Sequence, residues 1–431
     1  MNALQRMLGE FDAQVAAPLA RGRLRAAQSL RDHALPSRRE ENWRYTDLRV
    51  LDKVSRFAPL ASTTAMAAGF AVDLPVALPV ALPGFARLVF IDGRLDPRHS
   101  LPDTALLASL RDEQAVDAAA DAGARTGTSA FESAFETSGD GRLGLIAGMF
   151  APEPLTLRIN GSLALEIISI ATSPAYTDIE LRLTPHAQLE LVERHLGSAQ
   201  PVCARLRLYL GSDAQLTHTR LQQTAADSLY YDTVSAQLGE RAHYRLRHVA
   251  AGGAHARSTT QVRLLGPDAS LQIRALATAH QDQHADVSFT VLHEAPGTHS
   301  DQLFRGIASD RGHIACTADV QVASGAPGSR VKQSLRGLLD GKGAEVDLRP
   351  RLTIDTDDIQ ASHGATTGRL DEDLLFYLLS RGLAPDEARS LLKWAFLGEA
   401  FSAIESPALR HAAERAAAAR LSDAPAAELL Q

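Results

Sequence analysis

Cysteine is nearly missing from this sequence: Cys203 and Cys316 are the only two in 431 residues. Two thiols cannot build a disulfide framework, a four-cysteine zinc site or a self-contained iron–sulfur site. An excess of positive charge is missing too. The 44 basic and 51 acidic residues leave a net charge of −7, the wrong sign for a dedicated nucleic-acid binder. No membrane-spanning run is present. The most apolar stretch, Phe70 to Ile91, carries Asp73, Arg87 and prolines 75, 79 and 83. Prolines every four residues break a helix, and a span needs about 20 apolar residues. The N-terminal residues lack a charged-then-apolar signal, and Glu10 and Asp12 argue against a transit peptide, so a cytoplasmic setting is expected. Walker, dinucleotide-binding, GxSxG and HExxH motifs are all absent, and no enzymatic activity is expected.

What is present divides by period. Over residues 1–60, Leu4, Met7, Leu8 and Phe11 recur at helical spacing, and Arg23 to Leu30 suits a second helix ended at Leu35-Pro36. Aromatics are only 5% of the chain, so Trp43 and Tyr45 stand out in the segment LPSRREENWRYTDL, Leu35 to Leu48. Residues 61–84 read as a proline-rich extended linker. From 85 to 365 the period falls to two, as in Leu155 to Ile159 and Ile179 to Leu183. A small residue followed by alternating side chains repeats at Ala187, Ala214, Ala242, Ala269, Gly312 and Ala344, usually after a polar residue such as His186, Asp213, Arg241 or Asp268. A period near 27 without helical pattern suits one coil of a parallel β-helix, with about three strands of five residues per coil. The alternative is an antiparallel sandwich. Residues 366–431 return to helical period: Leu374, Leu375, Leu378 and Leu379 share one face, and Pro385 opens a helix whose stripe would be Ala388, Leu391, Leu392, Ala395 and Phe396. The expected fold is mainly β, a parallel β-helix core between N-terminal and C-terminal helical domains.

Chemistry-bearing residues are few. Both cysteines share strand positions with apolar neighbours and read as inert core thiols. His280, His284, His293 and His299 are dense but match no ligand spacing, so a polar ladder is expected there rather than a metal site. A polysaccharide-active β-helix enzyme is an alternative, but it would want an exposed Asp or Arg groove and usually export, for which no signal is seen. The sharpest feature is SHGATTG, Ser362 to Gly368, in which glycines 364 and 368 leave His363 uncrowded where the strand region ends. A turn-capping histidine would look the same.

SHGATTG followed by DEDLLFYLLSRGLAPDEARSLLKWAF resembles the C-terminal signature of the SufB/SufD family of iron–sulfur cluster assembly proteins. The segment around Trp43 and Tyr45 and the run Arg87 to Arg94 resemble its N-terminal and core-start motifs, so the likeness spans the chain. Gly364 stands where one branch of the family usually carries an acidic residue. The resemblance implies a right-handed β-helix flanked by helical domains. It also implies a scaffold complex for iron–sulfur cluster biogenesis: a SufB-like subunit at the β-helix end and a SufC-like ATPase on the C-terminal helices. The ATPase would dock near Tyr377, Arg381 and the helix from Leu391 to Phe396. A SufB-like scaffold role for the chain itself is the near alternative. Without its partner, the chain is expected to pair with a second copy through open strand edges. Some relatives carry a cysteine at the position of Ala361, so a thiolate role is lost here. With two buried cysteines the chain cannot hold a cluster alone, but it can lend one ligand, and imidazole is a competent one. His363 is therefore the candidate ligand for iron, or for a transient cluster shared with the SufB-like subunit.

Overall fold

The computed structural model describes residues 2–13, 21–59, 74, 76–103, 106, 141–402, 404–418 and 421. Most of the expected linker, residues 61–73 and Pro75, lies outside the described residues, as does the tail beyond Leu421.

Alternating side chains build a two-sheet parallel solenoid. One sheet stacks β4 (Ser162–Ala171), β6 (Gln188–Gly197), β8 (Gln215–Gln222), β10 (His243–Ala250), β12 (Ser270–Ala279), β14 (His299–Ser309), β16 (Ser329–Asp340) and β18 (Ile359–Gly368). It starts at β1 (Ala86–Ile91), with the short antiparallel β2 (Arg94–Leu95) beyond it. The other stacks β3 (Leu155–Ile159), β5 (Ala175–Leu183), β7 (Val202–Leu210), β9 (Leu229–Leu238), β11 (His255–Leu264), β13 (His284–His293), β15 (His313–Val322) and β17 (Glu345–Ile354). Between the sheets, Leu165, Leu191, Leu246, Val262, Phe289, Phe304 and Val320 form one apolar core.

Each coil has two long strands, not the three short ones expected, because left-handed corners fall at only two places per coil. At one corner His186, Asp213, Arg241 and Asp268 adopt φ of 63°, 59°, 52° and 58°, a region that polar residues such as Asp tolerate best after glycine. Their amides climb the stack: His186 N donates to Ser212 O at 2.9 Å and Asp213 N to Glu240 O at 2.8 Å. At the opposite corner Gln281 and Asp310 take this role, one residue further from the strand. Consequently the repeats at Gly312 and Ala344 start β15 and β17, in the other sheet. The wide gap from Ala269 to Gly312 is one coil and a half.

Helices cover the outer sheet faces. On the eight-stranded sheet, α1 (Ala3–Ala13), α2 (Arg21–His33), two 3₁₀ turns (Glu41–Trp43, Leu48–Lys53) and the segment after them pack Phe11, Trp43 and Phe57 against Tyr176, Cys203 and Tyr231. A further helix, α3 (Arg142–Phe150), interrupts the region expected to be strands, and all nine of its residues are buried. After Arg142, which pairs with Glu40, the segment LGLIAGMF is apolar all round, as a fully enclosed helix should be. At Gly148 the Arg205 guanidinium approaches so closely that an added methyl group would displace it.

At the C-terminal end lie α4 (Glu372–Ser380), α5 (Pro385–Phe401) and α6 (Pro407–Ala418). Leu397, Phe401, Leu409 and Ala413 seat on Val192, Leu221, Val249, Leu276 and Ile307 of the ten-stranded sheet. The buried stripe of α5 differs from expectation: it is Ala388, Ser390, Lys393, Leu397, Ala400 and Phe401, while Leu391 and Ala395 face solvent. The helix is turned so that Leu397 and Phe401 meet the sheet and Lys393 pairs with Asp340. No helix among the described residues is long and apolar enough to cross a membrane.

Candidate functional site at the open end of the solenoid

The two ends of the solenoid are unlike. At the start, the β1–β2 hairpin covers the ten-stranded sheet's edge. At the finish, β17 and β18 are terminal strands of their sheets, and among the described residues no further strand pairs with them. Every residue of β18 after Ile359 is exposed. Such an edge presents unpaired backbone donors and acceptors.

His363 lies on this strand. The SHGATTG segment is not a turn: Ser362 to Gly368 runs in extended register with Lys332 to Leu338, and neither glycine has positive φ. The glycines instead leave two positions of the edge without side chains, each facing open space. In register, Ala361, His363 and Ala365 stand beside Val331, Gln333 and Leu335, so His363 shares the inward parity of the core. Its neighbour Gln333 is buried, donates from Nε2 to Ala318 O at 3.0 Å, and leaves Oε1 without a partner. An exposed imidazole beside an unpaired carbonyl oxygen can hold an ion or a hydrogen-bonding group brought by another chain.

The N-terminal segment around Trp43 straps the outer face of the eight-stranded sheet toward the same end. Trp43 is fully buried under the Arg257 guanidinium, 3.8 Å from its ring centroid. The Thr46 hydroxyl and Arg257 both bond Asp286. Glu41 pairs with Arg349 at 2.5 Å and with Arg351 at 3.3 Å, both on β17. The aromatic motif thus reaches the last coil, which its composition alone did not show.

The residues expected at the ATPase surface fall on two exposures. Tyr377 is exposed, with Arg381 5.1 Å from its ring, and Leu391 is exposed, whereas Phe396 is half-buried against the sheet. Leu374, expected on the apolar face of α4, is exposed, as is Phe376 (73%), which the sequence pattern does not mark; both are solvent-facing apolar residues on the same helix as Tyr377. No residue of α4 is buried.

Cys203 and Cys316 are buried and free, and burial pushes both thiols up. His280, His284, His293 and His299 are scattered: His280 bonds Gln283 at a corner, His299 is exposed, and only His293 is enclosed. Among the described residues, no three His, Cys, Asp or Glu side chains are gathered for a metal ion. Within the solenoid, Glu193 meets Arg220 and His218 at 2.8 Å each, and Arg220 reaches Asp232 at 2.7 Å. Burial would raise the Glu193 carboxyl, but Arg220, His195 and His218 outweigh it and hold it well below the usual range.

His293 is wholly buried between Thr298 Oγ1 (2.9 Å) and Ser300 Oγ (2.8 Å), and burial lowers its pKa to about 4. An unfolded histidine takes its proton near 6.5. Between those values the unfolded chain binds more protons, so the stability held above pH 6.5 is lost as pH falls toward 4. Lowering pH from 7.5 to 5 should cost about 2 kcal/mol through this residue. Calorimetric melting at the two pH values checks it: His293→Gln should flatten the dependence, and an equal slope in wild type and variant would contradict the assignment.

The model of the SUF system FeS cluster assembly SufBD core domain matches residues 169–396. The chain belongs to this family. It is 28% identical over 416 residues to the iron-sulfur cluster assembly protein SufD of Escherichia coli (strain K12), covering 95% of this chain and 94% of that one. An iron-sulfur cluster assembly SufBD family protein of Synechocystis is 26% identical, over 89% of this chain and 87% of the relative. One from Mycobacterium leprae is 31% identical over 54% of this chain and 62% of its own length. The end-to-end match to the Escherichia coli protein makes the chain SufD-like. Within this SufBD chain, the matched span runs from β4 to α5 and includes both β18 and the exposed helix α4.

Proposed function

We propose that the chain is a non-catalytic, cytoplasmic subunit of a scaffold that builds iron–sulfur clusters, pairing through β17 and β18 with a SufB-like subunit. His363 lends an imidazole to iron, or to a transient cluster, shared across that junction. A SufC-like ATPase docks on the face of α4 and α5 that presents Phe376, Tyr377, Arg381 and Leu391. Alone, the chain pairs with a second copy through the same open end. The single observation that carries this reading is the uncovered final coil with His363 on its inward side. A solvent-facing apolar cluster on α4 supports the second docking surface, since such clusters mark interaction sites more than single exposed leucines do.

Co-expression with the cognate SufB-like and SufC-like chains tests it. A stable three-chain complex is expected. Phe376→Asp with Leu374→Asp should lose the ATPase and retain the SufB-like chain, because both positions lie outside the core. Retention of the ATPase by that double variant, or a wild-type chain that purifies alone, would overturn the docking assignment.

A further inference from the structure

One column of side chains on the eight-stranded sheet has no part in that proposal. His255, His284 and His313 occupy the same register position on β11, β13 and β15, and Glu345 takes it on β17. In-register side chains of a parallel stack face the same way, about 4.8 Å apart. The ring centroids of His255 and His284 are 4.7 Å apart, and those of His284 and His313 are 4.6 Å apart. Tyr45 sits edge-on to His313 at 6.4 Å.

The hydrogen bonding fixes what the central pair offers. His313 Nε2 lies 2.8 Å from Asp347 Oδ2, so that nitrogen carries the hydrogen and donates to the carboxylate. Its Nδ1 then keeps a lone pair, which accepts from His284 Nδ1–H at 3.1 Å; a metal bound at His284 Nδ1 moves that hydrogen to Nε2. His284 Nε2 is buried without a hydrogen-bond partner, so this ring is tied at one edge only. Arg257, a nearby cation, is already paired with Asp286. Burial and the neighbouring imidazoles also keep His284 neutral, the form a metal takes.

We propose that this column is a site for a divalent first-row transition metal, held by Nδ1 of His284, Nδ1 of His313 and the carboxylate of Glu345. Two nitrogens bound to one tetrahedral ion at about 2.0–2.1 Å lie about 3.3 Å apart, so the observed pair needs only a small adjustment. Asp347 acts from behind, orienting His313 as outer carboxylates orient metal-bound histidines. Glu345 is exposed one rung away and supplies the third donor by swinging inward; before it does, no three donors converge. Water fills the remaining positions. Two imidazoles and a carboxylate favour zinc, cobalt or iron(II) over magnesium or calcium.

Titration of the isolated full chain with Co²⁺, followed by its visible absorption, reads this out without any partner protein. One cobalt per chain is expected, with no displacement by excess Mg²⁺. His284→Ala with His313→Ala should abolish the band, and Asp347→Asn should weaken binding about 10–100-fold. Glu345→Gln, at an exposed position that folding does not need, should also weaken it at least tenfold. The proposal is overturned if wild type shows no band at 100-fold excess metal, meaning that His284 and His313 are only a hydrogen-bonded pair. It is equally overturned if the double variant keeps the band, or if Glu345→Gln binds as wild type does. These outcomes are independent of whether the scaffold complex forms.

Discussion

Arg220→Met should destabilise the fold by about 3–5 kcal/mol, the range expected when one partner of a buried ionic group is removed. Arg220 is 2% exposed and lies between Glu193 and Asp232 within the solenoid. Methionine fills the volume but leaves two enclosed carboxylates without their shared cation. His218 still reaches Glu193 at 2.8 Å, and Ser258 still donates to Asp232 at 2.5 Å, but neither supplies a permanent charge. Adding Glu193→Gln and Asp232→Asn to Arg220→Met should restore most of the loss, because neutral amides do not require a counter-charge. Urea unfolding followed by circular dichroism checks both. An Arg220→Met chain within 1 kcal/mol of wild type would mean that the network has little hold on the fold.

Removing residues 385–431 should yield an insoluble chain, not a trimmed soluble solenoid. The deletion takes away Leu397, Ala400, Phe401, Leu409 and Ala413, and uncovers Val192, Leu221, Val249, Leu276 and Ile307 on one sheet face. Each large side chain returned to water costs about 1.5–3 kcal/mol, and the uncovered patch is contiguous. The surface change Phe376→Asp should leave the protein soluble, since that ring packs on nothing in the core. A truncated chain that stays soluble and melts cooperatively would show that α5 and α6 are dispensable for the fold.

Much of this architecture is written in short-range patterns. Period-two runs mark the strands, and the polar residues before Ala187, Ala214, Ala242 and Ala269 are the left-handed corners. Strand number per coil is less legible, because nothing in an alternating run says where it bends until the second corner is known. The helix α3 is hidden for a different reason: RLGLIAGMF has no polar face, so it carries no helical period. The stripe of α5 is ambiguous because Leu391 and Leu397 lie on different faces, and a buried lysine with a half-buried aspartate partner won the inner one.

The functional end is legible only in part. The SHGATTG segment stands out, yet its glycines suggest a turn where the chain makes an edge strand. Long-range pairs leave no local trace at all. Glu41 with Arg349, and the His255–His284–His313 column, depend on a register that unites residues far apart in sequence.

Cluster formation on the purified three-chain complex, with and without His363→Ala, tests the central claim most directly. His363 is exposed and its side chain makes no hydrogen bond or ion pair among the described residues, so the variant should fold and assemble as wild type does. Reconstituted with iron and a sulfide donor, its cluster absorption should fall at least tenfold. A variant complex that forms clusters at the wild-type rate would contradict the account and leave His363 an ordinary edge-strand residue.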